Sequence, residues 1–264
     1  MRNYALLRYG LFSLLALPLG FFLLYPQLIR CLLIDRSSSF RLLERAPQVY
    51  IDRSTSPRMQ SQLRQHIVGA HHRIRQLWGD QRGKAILIYC PNQADYSQFC
   101  AGGEGAGCSI GLPWGASYLV LGPDGNNTDV IAHELCHDEL FARLGWWRVK
   151  QQIPQWFNEG LALMVDYRFS PPAIWEHTGS RQTNPSRTGS VPRHPPIKLT
   201  DLETTRDFFG GDYGHTMVAY QTAASEVTRW LSVVGRAGVP ALTQSITSGV
   251  PFEEAYRNSM KGHH

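Results

Sequence analysis

Apolar positions along the chain change their spacing near residue 128, and the change separates a strand-bearing half from a helical half. Before it, Val49, Tyr50 and Ile51 read as a short strand, and Lys84 to Cys90 is a brief apolar run of the kind that fills a buried strand. Ile110 to Trp114 and Ser117 to Leu121 read as two more strands, joined around Gly115 and closed by Gly122-Pro123-Asp124-Gly125. One helix interrupts this half. Leu63, Ile67, Ile74 and Leu77 recur near helical spacing between Pro57 and Trp78, and Gly79 stops the run. After the change, Asp129 to Leu144 reads as a helix behind the capping candidates Thr128 and Asp129, ending at Gly145. Pro154 suits the first turn of a helix to about Phe169, terminated by Pro171 and Pro172. Residues 170–200, rich in Pro, Ser, Thr, Arg and His without periodicity, read as loop. Helices return over Tyr213 to Val234, Val239 to Ser248 and Pro251 to Asn258, with no internal repeat. Strands first and helices after predict an α+β domain with a small mixed sheet and a helical C-terminal half.

The N-terminus breaks this pattern. Tyr9 to Ile29 is almost uncharged, is flanked by Arg2, Arg8 and Arg30, and is long enough to cross the hydrocarbon core of a bilayer. An uncleaved signal anchor kinked at Pro18 is the expected reading. A cleaved signal peptide is the rival, but the apolar run is long for one and no small-x-small site follows it closely. Arg30 before Cys31 argues against lipoprotein attachment. The expected organisation is a transmembrane anchor over residues 1–34, a polar linker over 35–47 and a folded domain over 48–264. Residues 35–56 are the place for a pro-segment if one exists. With the N-terminus inside, the domain faces out of the cytoplasm, into a periplasmic or extracellular space.

Composition fits a folded domain: of 264 residues, 43% are hydrophobic and 18% charged. The net charge is +5, but the arginines are scattered and form no run of the nucleic-acid-binding kind, so no nucleic-acid partner is expected. Solubility and a weak attraction to a membrane surface account for the charge. With Cys31 at the anchor's edge, four cysteines remain, and Cys100 and Cys108 bracket a Gly-rich loop that can close. That pair is the expected disulfide in an oxidising compartment; free buried thiols in a cytosolic chain are the alternative.

The chemistry concentrates in His133-Glu134-Leu135-Cys136-His137. On a helix, positions i and i+4 share a face, so His133 and His137 can reach one zinc ion at about 2.0–2.1 Å. Glu134, one residue round, is placed to act as general base on a zinc-bound water. Downstream, Glu159 in Pro154-Gln155-Trp156-Phe157-Asn158-Glu159-Gly160 can return as third protein ligand if two helices pack, with Gly160 permitting a close approach. A vertex left for water marks a catalytic rather than a structural site. Asp138 and Asp166 are candidate acceptors for the ligand imidazoles. Cys136 points away from the ligand face and is not counted as a ligand. His71, His72, His263 and His264 lack a partner motif and read as solvent-facing. Trp146-Trp147 reads as core or lipid contact, and Ser117 to Leu121 as an edge strand able to pair with a peptide.

In these residues the chain resembles the gluzincin metallopeptidases, whose HExxH is followed by a ligand Glu in an Asn-Glu-Gly setting, here His133, Glu134, His137, Asn158, Glu159 and Gly160. Tyr220 to Val227 is similar to the segment of aminopeptidase-like gluzincins whose Tyr stabilises the oxyanion, with Thr222 and Ala223 in place of the usual Lys and Gly. That resemblance gives the role to Tyr220, with Tyr213 or His215 next in line. The stretch from Leu199 through Tyr256 also looks like small peptidase-MA-like proteins. The resemblance covers roughly residues 84–258, and no Gly-Ala-Met-Glu-Asn segment accompanies it, so aminopeptidase activity does not follow.

The expectation is thus a membrane-anchored, zincin-like α+β peptidase that needs Zn2+, cleaves a peptide or protein substrate, and carries catalytic Glu134 and Tyr220 with metal ligands His133, His137 and Glu159. Two alternatives stand beside it: a catalytically silent zincin-like domain that binds a partner, and a zinc hydrolase acting on a non-peptide amide or ester.

Overall fold

The structure, a computed structural model, describes residues 25–100, 105–169 and 197–261. Its centre is a mixed five-stranded sheet, of β1 (Phe40–Leu43), β2 (Ala46–Asp52), β3 (Ile86–Tyr89), β4 (Gly107–Gly111) and β5 (Ser117–Leu121). The strands lie in the order β1-β2-β3-β5-β4. The middle pairs β2–β3 and β3–β5 are parallel, and the outer pairs are antiparallel. The parallel strands are apolar on both faces because both faces are covered. Leu87, Tyr89, Leu119 and Leu121 enter the main core, while Ile88, Tyr118 and Val120 enter a second cluster behind the sheet.

That second cluster is closed by α1 (Pro26–Leu32) and α3 (Gln93–Phe99), through Leu28, Cys31, Tyr96 and Phe99. The end of the expected anchor is thus folded onto the domain. The expected linker holds a short 3-10 turn at Ile34–Arg36 and then β1, because Ile34, Phe40 and Leu43 bury their side chains and draw the polar stretch with them. Residues 9–24 of the apolar segment lie outside the described residues. Among the described residues, no helix is long and apolar enough to cross a membrane.

On the other face lie α2 (Pro57–Trp78) and α4 (Thr128–Leu144), packed against each other. Ser56 caps α2 by accepting the Met59 N–H, and Gly79, at φ 82°, ends it where the periodicity stops. The cap of α4 is Asn127, whose side chain accepts the Val130 N–H at 2.8 Å, one residue before the expected candidates. Asp129 instead pairs with Arg73 of α2 at 2.6 Å and accepts the Tyr167 N–H at 3.1 Å. After Gly145 come α5 (Trp146–Gln152), which the pattern did not predict, and α6 (Gln155–Leu163). The second helix of the helical half therefore stops six residues short of Phe169. Trp147 is exposed, and its ring meets Trp146 edge to face. The tail is α7 (Thr205–Phe209), α8 (Tyr213–Val234), α9 (Gly238–Thr247) and α10 (Phe252–Lys261). Most of the expected loop 170–200 lies outside the described residues.

Three other expectations need correction. The strand sought over Ile110 to Trp114 is β4, earlier in the chain, with Trp114 exposed in the turn beyond it. β5 is not an edge strand, because β4 returns antiparallel on its outer side and takes the edge. Gly160 does permit a close approach, but of α8: a Cβ there would lie 2.7 Å from the Ala223 carbonyl oxygen and from Val227 Cγ2. Cys100 and Cys108 are disulfide-bonded, as expected; Cys31, Cys90 and Cys136 are free and buried.

Because Gly160 is buried against backbone, Gly160→Ala overpacks the α6–α8 contact. The variant is expected to lose about 1–3 kcal/mol of stability, measured as a lower midpoint in denaturant unfolding with an unchanged slope.

Candidate metal centre

Three side chains from two helices converge. One ligand atom from each of His133, His137 and Glu159 lies within 4.8 Å of the others. His133 and His137 share a face of α4, with ring centroids 5.0 Å apart. Glu159 comes from α6, which packs across α4. Its Oε2 is 3.4 Å from His133 Nε2 and its Oε1 is 3.8 Å from His137 Nε2. Two donors at about 2.0–2.1 Å from a tetrahedral ion stand roughly 3.3 Å from each other. The observed spacings fit a common ion, so the group can hold one.

The donors are oriented by neighbours. His137 Nδ1 lies 2.9 Å from Asn158 Oδ1, so the Nδ1–H donates there and Nε2 turns its lone pair toward Glu159. Gln155 Nε2 donates to Glu159 Oε1 at 2.7 Å. Asp166, fully buried, has Oδ2 3.8 Å from His133 Nδ1. Arg168 holds that carboxylate, with Nε to Oδ1 at 2.9 Å and Nη2 to Oδ2 at 2.6 Å. Of the two expected acceptors, then, Asp166 stands beside a ligand imidazole. Asp138 does not: its carboxylate accepts the Ala85 N–H at 2.9 Å and the Ser117 hydroxyl, fastening α4 to the sheet.

Glu134 stands outside the converging trio. It is buried, and its Oε2 accepts from Ser109 Oγ of β4 at 2.7 Å, while the same hydroxyl is 3.0 Å from the Glu134 carbonyl oxygen. Ser109 was not found from the sequence, because the strand that carries it was expected later in the chain. Asn158 was seen as part of the resemblance but not as the partner of His137. Tyr220 of α8 packs among Phe208, Phe209 and Phe169 at centroid distances of 5.2, 6.0 and 6.1 Å. Burial, and then the charges of Glu159, Glu134 and Asp166, raise its phenol well above the usual range. It stays protonated in this acidic neighbourhood. Tyr213 is 81% exposed, and His215 Nε2 lies 2.8 Å from the Asp207 carbonyl oxygen; neither belongs to the converging trio. Cys136 is buried and takes no part in the trio.

Burial works against charge on His133, but the hydrogen bond to Glu159 and the charges of Glu134, Glu159 and Asp166 outweigh it and raise its pKa. Glu159 is displaced the other way: burial opposes its charge, and His137 and His133 overcome that and hold its pKa low. The group of donors can thus hold a cation.

Neither the models of known protein families nor the curated protein sequences match this chain.

Three outcomes follow for metal binding. A cation and a proton compete for His133, whose folded-state pKa lies above the ordinary value of about 6.5. Metal affinity is therefore expected to fall as the pH is lowered, beginning above the ordinary histidine range, in a competition titration with a chromophoric chelator. Asn158→Ala frees the His137 ring and is expected to weaken binding by roughly 10–100-fold with helix content unchanged, whereas His133→Ala should abolish stoichiometric metal in elemental analysis.

Proposed function

We propose that this chain is a zinc-dependent peptidase of gluzincin type. The observation that carries the reading is the division of labour on α4: two imidazoles meet a carboxylate from α6, while the intervening Glu134 is left out of the trio and held by Ser109. A domain that only stored a metal has no use for a second buried carboxylate beside the donors. Two nitrogens and one oxygen are a donor set that suits zinc and leaves a vertex open. Bound zinc would polarise a carbonyl and lower the pKa of a coordinated water to about 7.

The chain's own groups supply the remaining steps. Glu134 takes a proton from the attacking water and delivers it to the departing amine nitrogen. The Ser109 hydroxyl keeps that carboxylate oriented. Tyr220, protonated because burial and three carboxylates oppose its ionisation, donates to the oxyanion of the tetrahedral intermediate. β4, an edge strand of the sheet among the described residues, carries Ser109 and runs beside α4, so an extended peptide that adds to the sheet there lies next to Glu134. The apolar segment ahead of the domain anchors it to a membrane from the outer side.

Peptide-library digestion with the zinc-loaded chain tests this reading. Glu134→Gln is expected to keep zinc at wild-type stoichiometry and lose turnover by at least a thousandfold. Zinc without cleavage by the wild type would instead identify a binding domain. Tyr220→Phe should lower kcat with KM nearly unchanged, and an unaltered kcat removes Tyr220 from the chemistry.

A further inference from the structure

A cavity of about 330 Å³ opens between the sheet, α2 and α4. Ile131 and Leu135 form part of its wall. At roughly 100° per residue they stand on the side of α4 opposite His133 and His137, so the cavity backs onto the metal helix without sharing its donors. Val49, Leu87 and Leu119 of the sheet face it as well, and each belongs to the main core at no more than 8% exposure. The space therefore reaches into the core and is apolar there. Its size is that of a small-ligand site, about 300–1,000 Å³.

The mouth carries one sign of charge. Arg45, Arg64 and Lys84 line it, and among the described residues no carboxylate does. Arg45 meets Glu44 at 3.9 Å in an exposed pair. His71 also lines the mouth; Gln81 bonds its ring, yet its Nδ1 is buried without a hydrogen-bond partner. The acids behind the wall, Asp138 and Glu139, are already engaged. Asp138 holds the Ala85 N–H and the Ser117 hydroxyl, while Glu139 holds the Arg82 and Gly83 N–H groups and Arg143.

We propose that this cavity binds a single-chain aliphatic carboxylate of medium length. The tail lies against Val49, Leu87, Leu119 and the back of α4. The head sits among Arg45, Arg64 and Lys84. A neutral chain leaves Arg64 and Lys84 without a counter-charge from the cavity lining, an aliphatic cation is repelled by them, and a small inorganic anion leaves the apolar wall bare. The carboxylate is the guest that satisfies both ends.

Photolabelling of the full chain tests this, with a decanoic acid carrying a diazirine near its tail and the matching decanol as control. Labelled sites are mapped by mass spectrometry, with labelling of the apolar N-terminal segment as the reference for simple partitioning. The acid is expected to label peptides containing Ile67-Val68 and Ala85 to Leu87, saturably and in competition with unlabelled decanoate, at least fivefold more than the alcohol. Arg64→Glu with Lys84→Glu should lower that labelling at least fivefold while leaving the reference unchanged. If limited proteolysis shows the double variant misfolded, Arg64→Gln is read instead, with at least a threefold loss. Equal labelling by acid and alcohol, labelling confined to the N-terminal segment, or labelling insensitive to these substitutions overturns the proposal.

Discussion

A helix that carries Glu134, His137, Asp138 and Glu139 in succession is buried along most of its length, and everything else in the molecule answers to the need to satisfy those groups. An unpaired buried charge costs several kcal/mol, so each acid on α4 is met from a different element. Ser109 of β4 takes Glu134, the start of β5 and the residue before β3 take Asp138, and the Arg82–Gly83 backbone with Arg143 takes Glu139. Burial still pushes Asp138 and Glu139 toward the neutral form, against the bonds that favour their charge. These contacts fix the helix in depth and rotation against the sheet. The two imidazoles consequently emerge on the side where α6 crosses.

The same logic shows which parts of the fold were legible in the sequence. Long helices with strong periodicity and glycine stops were read to the residue, as for Pro57–Trp78 and Tyr213–Val234. Boundaries failed where a polar residue did structural duty. Asn127 caps α4 because its short side chain reaches the Val130 N–H, and Thr128 and Asp129 look equally able from sequence alone. β1 was missed because Arg41, Glu44 and Arg45 disguise a strand that buries only Phe40 and Leu43. α3, α5 and α7 are too short for periodicity to show, and tertiary packing sustains them.

The candidate site was legible in its donors and obscure in its supports. HExxH spacing and the Asn-Glu-Gly segment marked His133, His137 and Glu159, which the fold brings together. Sequence adjacency could not show that Asp138 turns to the sheet while Asp166 turns to His133, since both are acids at plausible distance. That choice is made by the position of Ala85 and Ser117 on one side and of Arg168 on the other.

The contact of α6 with α8 also bears on how the chain is made. The imidazoles and Glu159 leave the ribosome well before Tyr220, since residues 170–196 and α7 intervene. A nascent chain halted after α6 would already own the donor trio but would present Trp156 and Phe157 to water, because Trp230, Phe252 and Tyr256 that cover them arrive last. Such an intermediate is sticky. The C-terminal helices thus close the aromatic face that α6 leaves open, so the last part of the chain to be made is the part that covers it.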